Sequence, residues 1–301
     1  MTASVAQERA NRSAIVAVGL ALMASLLYTF GYSLSKALVS TYGLSALQVT
    51  FLRCALVLTA SLALMPWPSS GITLARLIRP PRALEQRIAA VFLVLSNALA
   101  VLGYSLLPVT AASALGFTAP LLLTALGGLI LRETISVGRW LGAAIGFVGM
   151  LLIVRPDASP ATAGILASLG AAVSYALYQI LVRRLRDVAN SLDTVVQVAV
   201  VGVVLLSGAM IWFWHALTLE AFGVVVMFTV VQTAALFCIA GALRRGEASR
   251  LAPWQFSGLI WAMAMDAVMF GSHPSLLSLG GGALIILGGL MAQGWLGRRA
   301  R

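Results

Sequence analysis

The amino-acid sequence predicts an all-α membrane protein of ten transmembrane helices arranged as two inverted five-helix repeats. Three observations predict it: apolar runs of spanning length, basic residues confined to one side of those runs, and a self-match between the halves. Of 301 residues, 60% are apolar and 10% charged, against about 45–50% and about 25% in a soluble domain. Such a chain cannot cover itself with polar surface. About 20 apolar residues in a helix span the ~30 Å hydrocarbon core. Runs of that kind predict helices near 13–36, 44–65, 86–105, 108–131, 136–154, 161–183, 191–213, 220–243, 248–270 and 275–296. The first run, preceded by Glu8, Arg9 and Arg12, exceeds a signal-peptide core and is expected to stay as a helix.

Cytoplasmic loops are enriched in Lys and Arg. With a cytoplasmic amino end, that side holds Arg9, Arg12, Arg76, Arg79, Arg82, Arg87, Arg132, Arg139, Arg183, Arg184, Arg186, Arg244, Arg245, Arg250, Arg298, Arg299 and Arg301. The opposite side holds Lys36 and Arg155. The asymmetry predicts ten spans, both termini cytoplasmic and residence in a bacterial inner membrane. It also accounts for the net charge of +11 without a nucleic-acid partner.

Sliding the chain by 147 residues places Tyr28 on Tyr175, Lys36 on Arg183, and Leu44–Leu58 on Ser191–Leu205 without a gap. A shift of 136 places Ala112-Ser113 on Ala248-Ser249 and Ser96-Asn97 on Gln232-Thr233, and a shift of 139 matches Gly142 and Gly149 to Gly281 and Gly288. The halves are therefore 1–157 and 158–301. Five helices each, an odd number, turn the second half upside down, the inverted plan of secondary transporters with a substrate site near the midplane.

Several stretches carry a family likeness: Phe51-Leu52-Arg53-Cys54-Ala55, Ala112-Ser113-Ala114 leading to Pro120, Arg132-Glu133-Thr134, and the run Gly142, Gly146, Gly149. With ten helices in two inverted fives, the chain resembles the drug/metabolite transporter superfamily. Within it, the resemblance is to the ten-helix EamA-type exporters, most nearly the aromatic amino-acid exporters of the YddG type. A Gly-Glu pair common in that superfamily before the last helix of each half stands here as Arg132-Glu133 and Gly271-Ser272. The resemblance implies outward flow of an amino acid or similar metabolite by alternating access. Drug-like cations and sugar or nucleotide derivatives are the other cargoes it admits.

Polar side chains in lipid face a partner, the bundle interior or water. Helix one offers Tyr28, Tyr32 and Lys36, and helix six offers Tyr175 and Gln179 on a matching stripe, the expected walls of a central cavity; interfacial belts and self-bonded hydroxyls are the other reading. Asn97 and Gln232 sit at matching mid-helix positions, to bind substrate or a neighbouring helix. Tyr104, Phe117, Trp254 and Trp261, with Phe237 and Phe256, suit an aromatic cavity wall or a lipid-facing belt. Pro120 and Pro253 permit bending, as hinges or as tolerated kinks. Asp266 is an intramembrane acid or a solvated helix end, and Arg53 snorkels or pairs with an acid such as Asp266. Lys36, Pro120, Pro253 and Asp266 are thus candidates for coupling or gating. The glycines of helices five and ten form small faces for packing inside the molecule or for dimerisation. A monomer suffices for the rest of the reading.

An intramembrane enzyme competes poorly, since no HExxH, GxSxG or P-loop is present and His215 and His273 fall near loops. Cys54 and Cys238 lie in apolar runs without CxxC spacing. No cofactor and no metal are expected. The partners expected are a small-molecule substrate and the bilayer.

Overall fold

The computed structural model describes residues 2–67, 71–119, 122, 137–154, 162–185, 191–245 and 256–292, and among these every regular element is helical. In lipid each backbone amide must be satisfied within its own segment, and helices do this. The first half contains α1 (Thr2–Ser40), α2 (Ala46–Leu64), α3 (Leu74–Ile78), α4 (Ala83–Leu106), α5 (Val109–Gly116) and α6 (Val137–Val154). The second contains α7 (Thr162–Leu185), α8 (Ser191–Ser207), α9 (Met210–Phe213), α10 (Leu219–Arg245), α11 (Ser257–Phe270) and α12 (Leu276–Ala292).

Five segments are long and apolar enough to cross a bilayer: Ile15–Ser40, Ala46–Leu64, Ala83–Leu106, Thr162–Val182 and Leu219–Ile239. Shorter apolar helices run over Trp140–Ile153, Leu192–Ser207, Ser257–Phe270 and Leu276–Met291. The expected 191–213 helix stops at Ser207 and resumes as the single turn α9, because Gly208 and Ala209 form a turn. Of the expected 108–131 and 248–270 helices, the longest described stretches are α5 and α11. Exposed Leu64, Val204, Phe237, Val268 and Leu287 give the bundle an apolar outer face, as a lipid solvent requires.

The packing between halves is paired. α1 lies along α10, and its repeat counterpart α7 lies along α4, the counterpart of α10. α1 touches α11 while α7 touches α5, and α4 touches α8 while α10 touches α2. α3 touches α8 while α9 touches α2, and the contacts of α2 with α8, α5 with α11 and α6 with α12 join repeat counterparts to each other. A two-fold relation between the halves generates this set.

Glycines permit the closest approach. A Cβ on Gly149 would meet the Gly281 carbonyl oxygen at 2.5 Å, and one on Gly281 would meet the Gly149 carbonyl oxygen at 2.5 Å. One on Gly288 would strike the Gly142 carbonyl oxygen. The small faces of α6 and α12 are thus used on each other, which decides between the two expected uses.

Candidate functional site

Along α1 polar residues recur every three or four positions, so they share one side of the helix. The small hydroxyls serve packing. Thr29 Oγ1 donates to Ser25 O at 3.0 Å and to Gly258 O at 3.4 Å, and Ser257 Oγ donates to Ser25 Oγ at 3.0 Å, fastening α1 to α11. Thr233 Oγ1 bonds back to Thr229 O at 2.7 Å.

The phenols do something else. Tyr32 of α1 stacks on Tyr104 of α4 with centroids 4.4 Å apart and planes 9° from parallel. Tyr104 is buried and its hydroxyl shares a 3.1 Å hydrogen bond with Ser113 Oγ of α5. On α7, Tyr175 and Tyr178 lie 5.8 Å apart, and Tyr175 is within electrostatic reach of Tyr28 and Tyr32. α1 and α7 do not pack along one another, yet their tyrosines approach, and Tyr175 remains 40% exposed. Tyr28, Tyr32, Tyr175 and Tyr178 thus form a cluster of phenols contributed by both halves.

Arg53 enters from α2. Its guanidinium carbon lies 5.7 Å from the centroid of the Phe228 ring of α10, and Tyr28 and Tyr32 are within its electrostatic reach. It does not pair with Asp266, and among the described residues no carboxylate lies within 4.0 Å of it. One turn from Phe228, Gln232 is buried against Gly31 of α1, where an added Cβ would meet its side chain at 2.9 Å. Gln232 Nε2 and Trp261 Nε1 are buried donors with no hydrogen-bond partner among the described residues. Asn97 and Gln179 are half-buried, and Ser96, beside Asn97, donates across to Ala171 O at 2.9 Å.

The other aromatic and proline candidates fall elsewhere. Phe117 tilts against the buried Phe256 at 5.3 Å, in the apolar core with Leu259 and Ile285. Phe237 is 72% exposed on the outer face, so it walls nothing inside. Pro120, Pro253 and Trp254 lie outside the described residues.

Lys36 and Asp266 converge on the Leu107-Pro108-Val109 turn between α4 and α5. Asp266, expected either in the membrane or at a solvated helix end, is 3% exposed. Its Oδ1 accepts from Val109 N and its Oδ2 from Thr110 N, each at 2.7 Å. Pro108 stands at the N-cap and supplies neither an N–H nor a side-chain acceptor, so the carboxylate of α11 satisfies the first free amides of α5 and complements its dipole. Lys36 Nζ donates to Leu107 O at 2.7 Å, at the carboxyl end of α4, and sits 4.6 Å above the Phe270 ring. Sequence reasoning selected both charges but missed their shared target, a turn whose free groups belong to the backbone. It also missed Phe228 as the seat of Arg53, for which the sequence carries no signal.

The chain is similar to the S-adenosylmethionine uptake transporter of Rickettsia bellii, 26% identical over 184 residues that cover 61% of this chain and 63% of that protein. It is similar to the riboflavin transporter of Vibrio cholerae, 27% identical over 199 residues covering 64% of this chain and 65% of that one. The chain thus spans less than two thirds of these relatives' length, and neither is described as an aromatic amino-acid exporter. One crystal structure shares the fold at TM-score 0.66 and 19% identity, covering 96% of this chain and 99% of the other. The sequence model of the EamA-like transporter family matches twice, over residues 15–155 and 162–292, and the chain belongs to that family of small-molecule transporters.

Proposed function

We propose that this protein is a secondary transporter that moves a small metabolite with a planar ring across the inner membrane by alternating access. Ten spans, five in 1–157 and five inverted in 158–301, enclose a central cavity, and both termini are cytoplasmic. The observation that carries the reading is the meeting of phenols from the two halves, Tyr28 and Tyr32 of α1 with the 40% exposed Tyr175 of α7, and we assign them to the wall of that cavity. Phenol faces offer stacking to an aromatic or heteroaromatic ring. Aromatic amino acids, adenosyl compounds and flavins all present one, which accommodates the family resemblance and the cargoes for which the relatives are named. The half-buried cation Arg53 disfavours drug-like cations. The clamp formed by Lys36 and Asp266 closes the outer end, and its release opens it. Outward flow is the direction the family resemblance implies, while the Rickettsia relative is named for uptake.

The test is uptake of radiolabelled tryptophan, phenylalanine, S-adenosylmethionine and riboflavin into proteoliposomes, with and without a pH gradient. Saturable uptake of at least one, competed by unlabelled compound, is expected. Silence across all four with folded protein overturns the reading.

A further inference from the structure

Resting on that reading, we infer that Arg53 binds an anionic group of the substrate, a carboxylate or a phosphate, so that the transporter selects aromatic compounds that carry one. A cation within the span of α2 needs compensation, because charge in the membrane interior is costly unless it finds a partner or water. Arg53 has the π face of Phe228 at 5.7 Å and the neighbouring phenols of Tyr28 and Tyr32, and among the described residues no carboxylate within 4.0 Å. The nearest acid on sequence grounds, Asp266, has both oxygens engaged by α5. Phe228 holds the guanidinium by a cation–π contact, which leaves its planar edge of N–H donors free to fork onto an oxyanion.

A neighbouring group has the same polarity. Gln232 Nε2, a buried N–H donor with no hydrogen-bond partner among the described residues, follows Phe228 by one turn on α10. Donors left unsatisfied in a protein interior cost free energy until an acceptor reaches them. The repeat does not duplicate the charge: the shift of 147 places Val200 of α8 opposite Arg53. Phenols thus come from both halves, as Tyr28 and Tyr175, and the guanidinium from one. This assigns the substrate an orientation, with its anionic group toward α2 and α10 and its ring toward the Tyr32–Tyr104 stack.

The experiment compares matched probes on the wild type and on Arg53→Met and Arg53→Lys. Tryptophan against tryptamine removes a carboxylate, and riboflavin 5′-phosphate against riboflavin adds a phosphate. Competition for uptake and quenching of protein tryptophan fluorescence in detergent are both read. The wild type is expected to favour at least one anionic probe over its neutralised or cationic partner by about tenfold or more, the scale of a charge-assisted hydrogen bond. Arg53→Met erases that preference and Arg53→Lys keeps part of it, while the probe lacking the anion binds all three proteins alike. Which pair responds distinguishes carboxylate from phosphate. No anion preference in the wild type overturns the inference, even if Arg53→Met does not fold, and so does a preference that Arg53→Met retains. If no probe is transported but quenching shows the preference, the transport reading fails and the anion site stands.

Discussion

Lys36 and Asp266 reach the same turn from different helices, the lysine taking the Leu107 carbonyl at 2.7 Å and the aspartate the Val109 and Thr110 amides at 2.7 Å. Opposite charges therefore complement the carboxyl end of α4 and the amino end of α5, each with the sign its helix dipole favours. Since α1 and α11 supply the charges, neither can move away from the turn without exposing free backbone groups.

Asp266→Ala leaves two buried N–H groups without an acceptor, at about 1–3 kcal/mol each. We expect a markedly lower melting temperature in detergent. Asp266→Asn keeps one side-chain acceptor oxygen and should lose less. If the alanine variant melts with the wild type, the carboxylate does not hold α5.

Lys36→Met removes the bond to Leu107 O and the cation above Phe270. If both residues clamp one turn, the effects of Lys36→Met and Asp266→Asn on stability are not additive, with a coupling of about 0.5–3 kcal/mol for residues sharing one network. A double-mutant cycle by thermal unfolding reads this. Strict additivity rejects a shared clamp.

The crossing of α6 and α12 makes a sharper prediction. Gly149→Ala and Gly281→Ala each place a methyl 2.5 Å from a carbonyl oxygen that belongs to a helix backbone and cannot swing aside. The cost expected is about 1–3 kcal/mol, the usual range for overpacking. Gly138→Ala is the control, since nothing lies within 4 Å of its added Cβ and alanine is the better helix former. Equal melting temperatures for the three variants would show that the helices are not in contact in the membrane protein.

The helical class was legible because a lipid solvent leaves long apolar runs in the sequence, and the small faces of α6 and α12, though not their partnership, because Gly142, Gly149, Gly281 and Gly288 repeat at one shift. The approach of Tyr175 to Tyr28 and Tyr32 was hinted at by the same signal, because the shift of 147 superposes Tyr28 on Tyr175. Three features were not. The seat of Arg53 on Phe228 joins α2 to α10 across the bundle, and no local pattern records a contact between distant helices. The target of Asp266 is backbone, which every residue possesses. Phe237 and Phe256 are alike in sequence but face lipid and core respectively, a difference set by helix rotation.

The stack of Tyr32 on Tyr104 separates wall from scaffold. Tyr104 is buried, with its hydroxyl committed to Ser113, whereas Tyr32 is half-buried among the phenols of both halves. Tyr104→Phe keeps the ring and loses one hydrogen bond, so it should cost about 1 kcal/mol of stability and leave substrate KM unchanged. Tyr32→Leu removes the ring, and with it an aromatic contact of about 0.5–1.5 kcal/mol with Tyr104 and the platform offered to a substrate ring. We expect it to raise KM for a transported aromatic solute severalfold, while Tyr32→Phe stays near wild type. Uptake kinetics on the three variants, with melting temperatures measured beside them, check the assignment. A rise in KM for Tyr104→Phe but not for Tyr32→Leu would place the substrate on the α4 and α5 side of the stack.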